Sequence, residues 1–190
     1  MHSFFAMLSR MKNIDRWALM RNTKTENISE HSHDVAVLVH ALALLHNKRF
    51  GGRADVSRCV LLALYHDATE ILTGDMPTPV KYDNPDIRAA YDQLEQVAAN
   101  KLLSKLPPDL EPEYRALLLP RATGEEQKLV KAADKLAALI KCVEELKQGN
   151  REFGKAREAT EESIRRMGLP AADCFLAEFL PAYELTLDEL

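Results

Sequence analysis

His66 and Asp67 stand side by side in the apolar stretch Cys59-Val-Leu-Leu-Ala-Leu-Tyr-His-Asp-Ala-Thr-Glu-Ile-Leu72. Burying an imidazole and a carboxylate without a partner costs several kcal/mol. A divalent cation is the partner that suits both groups. His31 upstream and Asp134 downstream offer two more ligands, each inside a helical apolar pattern. Two imidazoles and two carboxylates mix borderline-soft nitrogen with hard oxygen, which suits Mn, Co, Fe, Ni, Zn or Cu better than Ca. Four protein ligands leave coordination positions open, the mark of a catalytic rather than a structural site. An ion held in this way lowers the pKa of water from 15.7 toward roughly 7 and orients a substrate oxyanion. Glu70, four residues after His66 and three after Asp67, falls on the same face of an uninterrupted helix, within reach of such chemistry.

Each of these residues also has a plainer reading. The doublet can be a pair buried for structure alone. Asp134 can be a solvent-facing charge paired with Lys131 or Lys135. His31 competes with His33, about 200° away on a helix, so only one of them faces the site. His31 shares a face with Val35 and Leu38 while His33 neighbours Asp34, so His31 is the candidate. His40 and His46 read as helix-surface or satisfied core histidines.

These side chains must be positioned by helices. The pattern predicts a short helix over 3–12, irregular polar chain over 13–28, and helices over 29–48, 55–72, 84–106, 123–148, 150–167 and from 171 onward. Ser29 and Asp55 are the expected N-caps of the second and third helices. Asn84-Pro85 reads as a cap followed by proline at the first helical position. Thr123-Gly-Glu-Glu126 reads as a capping box. Gly51-Gly52 stops the second helix, which is apolar most of the way round and therefore expected in the centre. The prolines of Thr73–Pro79 exclude helix there, and Pro107-Pro108 with Pro112 mark a break. The stripe Leu129, Val130, Ala133, Leu136, Ala137, Ile140 and Val143 predicts the buried face of the long helix. With no strand-like alternation, the expectation is an all-α bundle of about seven helices, one domain over 1–190.

Composition narrows the partners. The net charge is -4 and Lys and Arg form no long run, which argues against a nucleic-acid polymer. The run Val35 to Leu45 is too short to span a bilayer, and no secretory signal is expected at the start. Cys59, Cys142 and Cys174 include no C-x-x-C pair and read as reduced thiols of a cytoplasmic protein.

The order His31, His66-Asp67, Asp134 resembles the HD-domain superfamily of metal-dependent phosphohydrolases, whose fold is an all-helical bundle. Further runs are similar to the bacterial 5'-deoxynucleotidases of the YfbR-like group: Arg16-Trp17, Arg21-Asn22, Thr25-Glu26-Asn27, Ser29-Glu30-His31-Ser32, Tyr65 to Glu70, Thr73 to Tyr82, Val130 to Asp134 and Lys141 to Leu146. The likeness covers about 3–85 and 123–150, and no motif is matched over 86–122 or 150–190.

The resemblance implies hydrolysis of 2'-deoxynucleoside 5'-monophosphates, one divalent cation (Co, Mn or a similar transition metal) and a homodimer. It implies His31, His66, Asp67 and Asp134 as metal ligands, with Arg16, Asp67 and Glu70 catalytic. It implies substrate contacts from Arg16, Trp17, His31, Asp67, Asp75, Met76, Pro77, Thr78 and Asp134. Arg supplies a rigid fork for phosphate oxygens. Trp17, the chain's single Trp, can exclude a 2'-hydroxyl by bulk, or be a plain plug between helices. Asp75 can accept from the sugar 3'-hydroxyl. Two other expectations stay open: an HD hydrolase acting on a triphosphate, a cyclic nucleotide or another phosphomonoester, and a non-catalytic nucleotide-sensing module.

Overall fold

The structure, a computed structural model, describes residues 1–81, 84–120 and 124–190. Its α-helices are α1 (Phe4–Leu8), α2 (Ile28–Arg49), α3 (Val56–Tyr65), α4 (Glu70–Thr73), α5 (Thr78–Lys81), α6 (Pro85–Leu103), α7 (Glu111–Leu118), α8 (Glu125–Lys147), α9 (Gly154–Arg165) and α10 (Pro170–Glu178). Short 3-10 turns follow α1, precede α9 and close the chain. Among the described residues there is no strand, only one antiparallel bridge between Asp15 and Asn27. The all-α expectation holds. No helix among the described residues is long and apolar enough to cross a membrane.

Three helices are added to those read from the sequence. The helix expected over 55–72 divides, because α3 ends at Tyr65 and α4 begins at Glu70. Between them the amides close three-residue turns, Ala68 N–H to Tyr65 O at 3.1 Å and Glu70 N–H to Asp67 O at 3.0 Å. His66, Asp67 and Thr69 are all weak helix formers. The premise that Glu70 shares one uninterrupted helix face with the doublet is therefore corrected. α5 and α7 form where prolines argued against helix, since a proline in the first turn has no N–H to lose.

The N-cap of α2 is Asn27 rather than Ser29. Its Oδ1 accepts the amides of Ser29 and Glu30, both at 3.0 Å, the two donors an N-cap side chain serves. The expected caps at Asp55 (Arg58 N–H, 2.9 Å) and Asn84 (Ile87 N–H, 2.9 Å) are present. The box expected from Thr123 begins outside the described residues; the Gly124 amide donates to the Gln127 side chain.

The chain divides into two compact units. The first comprises Met1–Met20, Thr25–Ser32 and Leu64–Ala122. Phe4, Leu102, Leu103 and Leu106 form its core, with Met7, Leu8, Tyr114, Leu118 and Leu119 packed on them. The Tyr114 ring meets Phe4 edge-on at 4.9 Å and Tyr65 at 5.6 Å. α4 and α5 lie on α6, where buried Tyr91 sits beneath Lys81, whose ammonium lies 4.4 Å from the ring centroid.

The second unit comprises Arg21–Lys24, His33–Ala63 and Thr123–Leu190. α8 is its spine, and every residue of the predicted stripe from Leu129 to Val143 is buried. α9 and the turn before it pack on α8. Within α2, Val35, Leu38, Val39 and Leu42 are buried, but Val37, His40 and Leu44 are exposed, so the helix keeps one solvent face. His46 meets Glu125, as a satisfied histidine should. Glu145 is 1% exposed and gathers the Thr23 amide and hydroxyl, the Lys24 amide, Asn150 Nδ2 and Lys141 Nζ. Burial pushes its carboxyl up, but Lys141, Asn150 and Thr23 outweigh that and bring it to about 2.

Candidate active site

The site in the first unit is assembled by a short backbone ladder. The Arg16 amide donates to Glu26 O at 2.9 Å and the Ile28 amide to Ile14 O at 3.0 Å, on either side of the Asp15–Asn27 bridge. This holds Arg16 and Trp17 against the start of α2. Asn27 caps that helix, so His31 falls one turn inside it, completely buried. His33 is exposed, as the sequence predicts.

Asp67 Oδ2 is the meeting point. His66 Nε2 lies 3.2 Å from it, Arg16 Nη1 3.2 Å and His31 Nε2 3.6 Å. The two imidazole centroids are 5.4 Å apart. Burial alone would raise the Asp67 carboxyl, but His66, His31 and Arg16 together hold it far below the usual carboxylate range. Two donors about 2.1 Å from one ion and at right angles to each other lie about 3 Å apart. The nitrogen-to-oxygen separations here are of that order, so these side chains fit a small divalent cation.

Glu70 is 6% exposed, and its Oε2 has no hydrogen-bond partner among the described residues. Burial first, then the charges of Asp67 and Asp75, raise it to about 9, so Glu70 carries a proton at neutral pH when the site is free of metal. Asp75, in the loop after α4, is also raised, by burial and by Asp67 against the pull of Arg16; its carboxylate accepts the Trp17 amide. Met76 and Pro77 continue that loop, half-buried. Thr78 opens α5, and its side chain lies outside the described set. Asp134 is half-buried on α8.

Trp17 has a backbone φ of +60°, unusual for any residue but glycine. Strain of that kind costs on the order of 1–3 kcal/mol and persists only where neighbours enforce it. Here the Asp75 carboxylate accepts the Trp17 amide, the Met20 amide donates to Trp17 O at 2.9 Å, and Trp17 Nε1 donates to Glu26 Oε2 at 3.0 Å.

Glu26 is the residue that sequence reasoning did not single out. Besides Trp17 it faces Arg16 Nε at 3.5 Å and His31 Nδ1 at 3.7 Å. Burial opposes its charge, but His31, Arg16 and Trp17 keep its carboxyl below its ordinary value. Its only signal in the sequence is its place in Thr25-Glu26-Asn27, directly before the cap of the helix that carries His31.

The comparisons with known proteins agree with this geometry. The model of the family described as 5'-deoxynucleotidase YfbR-like matches residues 3–183, which includes the stretches where no motif was matched by reading. A 5'-deoxynucleotidase of Yersinia pestis (strain Pestoides F) is 49% identical over 191 residues, covering 100% of this chain and 97% of the relative. A Yersinia pseudotuberculosis 5'-deoxynucleotidase (serotype O:3, strain YPIII) matches with the same figures: 49% identity, 100% of this chain and 97% of the relative. Among solved structures, an HD-domain phosphohydrolase of Listeria innocua superposes with a TM-score of 0.84 at 25% identity, over 95% of this chain and 88% of its own. The cyanophage S-2L HD phosphohydrolase bound to dA and one catalytic Zn2+ ion has a TM-score of 0.67 at 21% identity, over 95% of this chain and 96% of its own; it shares the fold. By its sequence over almost its whole length, the chain belongs to the 5'-deoxynucleotidase YfbR-like family.

Proposed function

We propose that the protein hydrolyses 2'-deoxynucleoside 5'-monophosphates to deoxynucleoside and phosphate, with one divalent cation. The observation that carries this reading is the approach of His31, His66 and Arg16 to a single oxygen of Asp67. The full-length 5'-deoxynucleotidase relatives and the neighbour bound to dA and Zn2+ support the same substrate class and a metal.

His31, His66, Asp67 and Asp134 are the proposed ligands, of Co, Mn or a similar transition metal. A cation held there would acidify a water and offset phosphate charge. The protein side chains do the rest. Arg16 orients the phosphate through its planar fork. Glu70, buried beside Asp67, passes a proton to the departing 5'-oxygen as water attacks phosphorus and the P–O bond breaks, and recovers one from the attacking water. Trp17 lies beside the sugar and leaves no room for a 2'-hydroxyl, and Asp75 accepts from the 3'-hydroxyl. Met76, Pro77 and Thr78 complete the nucleotide's surroundings.

The same proposal includes one HD domain over 1–190, a homodimer and a cytoplasmic location. Leu94 and Val97, 47% and 63% exposed at three-residue spacing on α6, favour the dimer. Thiols at all three cysteines favour a reducing compartment.

A phosphate-release screen tests the function. Deoxy- and ribonucleoside 5'-monophosphates and triphosphates are supplied after chelation and re-addition of Mn, Co, Mg or Zn. Release from the deoxy monophosphates alone is the expected result. Equal release from ribo forms, or preference for triphosphates, rejects the substrate assignment.

A further inference from the structure

One carboxylate in this site touches three different working groups. Glu26 Oε2 accepts the Trp17 indole N–H at 3.0 Å and lies 3.5 Å from Arg16 Nε. Its other oxygen, Oε1, faces His31 Nδ1 at 3.7 Å. The side chain is only 14% exposed, so water does little to screen these approaches. Its backbone is equally fixed, because the Glu26 carbonyl accepts the Arg16 amide at 2.9 Å and its neighbour Asn27 caps α2. The carboxylate is therefore a rigid fixture, unlike a long exposed glutamate.

We propose that Glu26 is the positioning residue of this site, a single carboxylate that orients the His31 ring, the Arg16 guanidinium and the Trp17 indole together. The inference rests on the ligand role of His31 proposed above. Its logic differs for each partner.

For His31, a carboxylate on the Nδ1 side favours the tautomer that carries its proton there and turns the Nε2 lone pair toward Asp67. Carboxylates behind ligand histidines act in this way and raise ligand basicity. Arg16 is approached by Glu26 at Nε and by Asp67 at Nη1, and two contacts on one planar group fix its plane. The indole of Trp17 is anchored at Nε1 on a backbone held at φ +60°, so the ring has little freedom to yield to a bulkier sugar. Removing Glu26 disturbs metal affinity, phosphate binding and sugar discrimination together, acting through His31, Arg16 and Trp17.

The test compares the full-length parent with Glu26→Ala, Glu26→Gln and His31→Ala. Mn2+ is titrated calorimetrically into chelator-stripped protein, the emission of the chain's single Trp is recorded, and kcat and KM are measured with dAMP and AMP. Both Glu26 variants are expected to bind Mn2+ about 10- to 100-fold more weakly, the range for lost partners of ligand histidines. They should part company on fluorescence. Glu26→Gln keeps an oxygen to accept the indole N–H and retains the parent emission, whereas Glu26→Ala shifts it to longer wavelength and narrows the preference for dAMP over AMP.

Parent-like Mn2+ affinity and parent-like emission in Glu26→Ala overturn the proposal. If Glu26→Ala does not fold, Glu26→Gln decides: parent affinity for Mn2+ together with parent KM for dAMP overturns it. His31→Ala separates the two levels. Retained Mn2+ affinity there rejects the ligand assignment itself, whereas lost affinity in His31→Ala with parent behaviour in both Glu26 variants rejects only the role of Glu26.

Discussion

Arg16 Nη1 lies 3.2 Å from Asp67 Oδ2, the same oxygen that faces both imidazoles. Asp67 therefore stands between the proposed cation and the group proposed to hold the phosphate. Asp67→Ala removes a proposed ligand and leaves Arg16 without this contact. Loss of bound metal by elemental analysis and loss of turnover are expected together. A variant with full metal content contradicts the ligand assignment.

The acid role proposed for Glu70 can be separated from metal binding. Glu70→Gln is nearly isosteric but has no proton to give. It should hold metal as the parent does, yet lose about 10²- to 10⁴-fold in kcat, the usual contribution of a positioned acid. Single-turnover rates measure this step directly. Full activity in Glu70→Gln takes the residue out of the chemistry.

Trp17 supplies bulk where the sugar is proposed to lie. Trp17→Ala should act on ribo- and deoxyribonucleotides with a ratio of kcat/KM closer to one than the parent's. An unchanged ratio leaves the ring as a packing element. The φ of +60° makes Ala strained at this position, so the melting temperature should be recorded beside the kinetics.

Glu145 sets an acid limit on stability. Its carboxyl is lowered from 4.5 to about 2 in the folded chain. A lowered carboxyl stabilises the fold above its unfolded pKa, and that share is lost as pH falls from about 4.5 toward 2. Its size is about 3 kcal/mol at 1.36 kcal/mol per pH unit. Urea titrations of parent and Glu145→Gln should show a gap that is widest above pH 4.5 and narrows toward pH 2. A gap that does not change with pH excludes this linkage.

Local patterns were the legible part. The α8 stripe, the caps at Asp55 and Asn84 and the choice of His31 over His33 follow from periodicity and capping, which act over a few residues. The i,i+4 pairs Glu161–Arg165 and Glu162–Arg166, at 2.7 and 2.9 Å, follow from the same short-range geometry. What escaped depends on other parts of the fold. The turn at His66–Asp67 interrupts an apolar run that reads as one helix, because weak helix formers there outweigh the continuous apolar pattern. Pro112 reads as a breaker, yet it begins a helix, since a proline in the first turn and a proline after the last look alike in one dimension. Glu26 stayed hidden because its three partners are brought to it by a backbone ladder that no spacing rule announces.

Asn27 fixes where α2 starts and therefore the rotational phase of everything that helix displays. Each helical residue turns the direction of its side chain by about 100°. Adding or deleting one residue between Asn27 and His31 would swing the imidazole away from Asp67 without altering a single other functional group, so the length of this four-step interval is fixed.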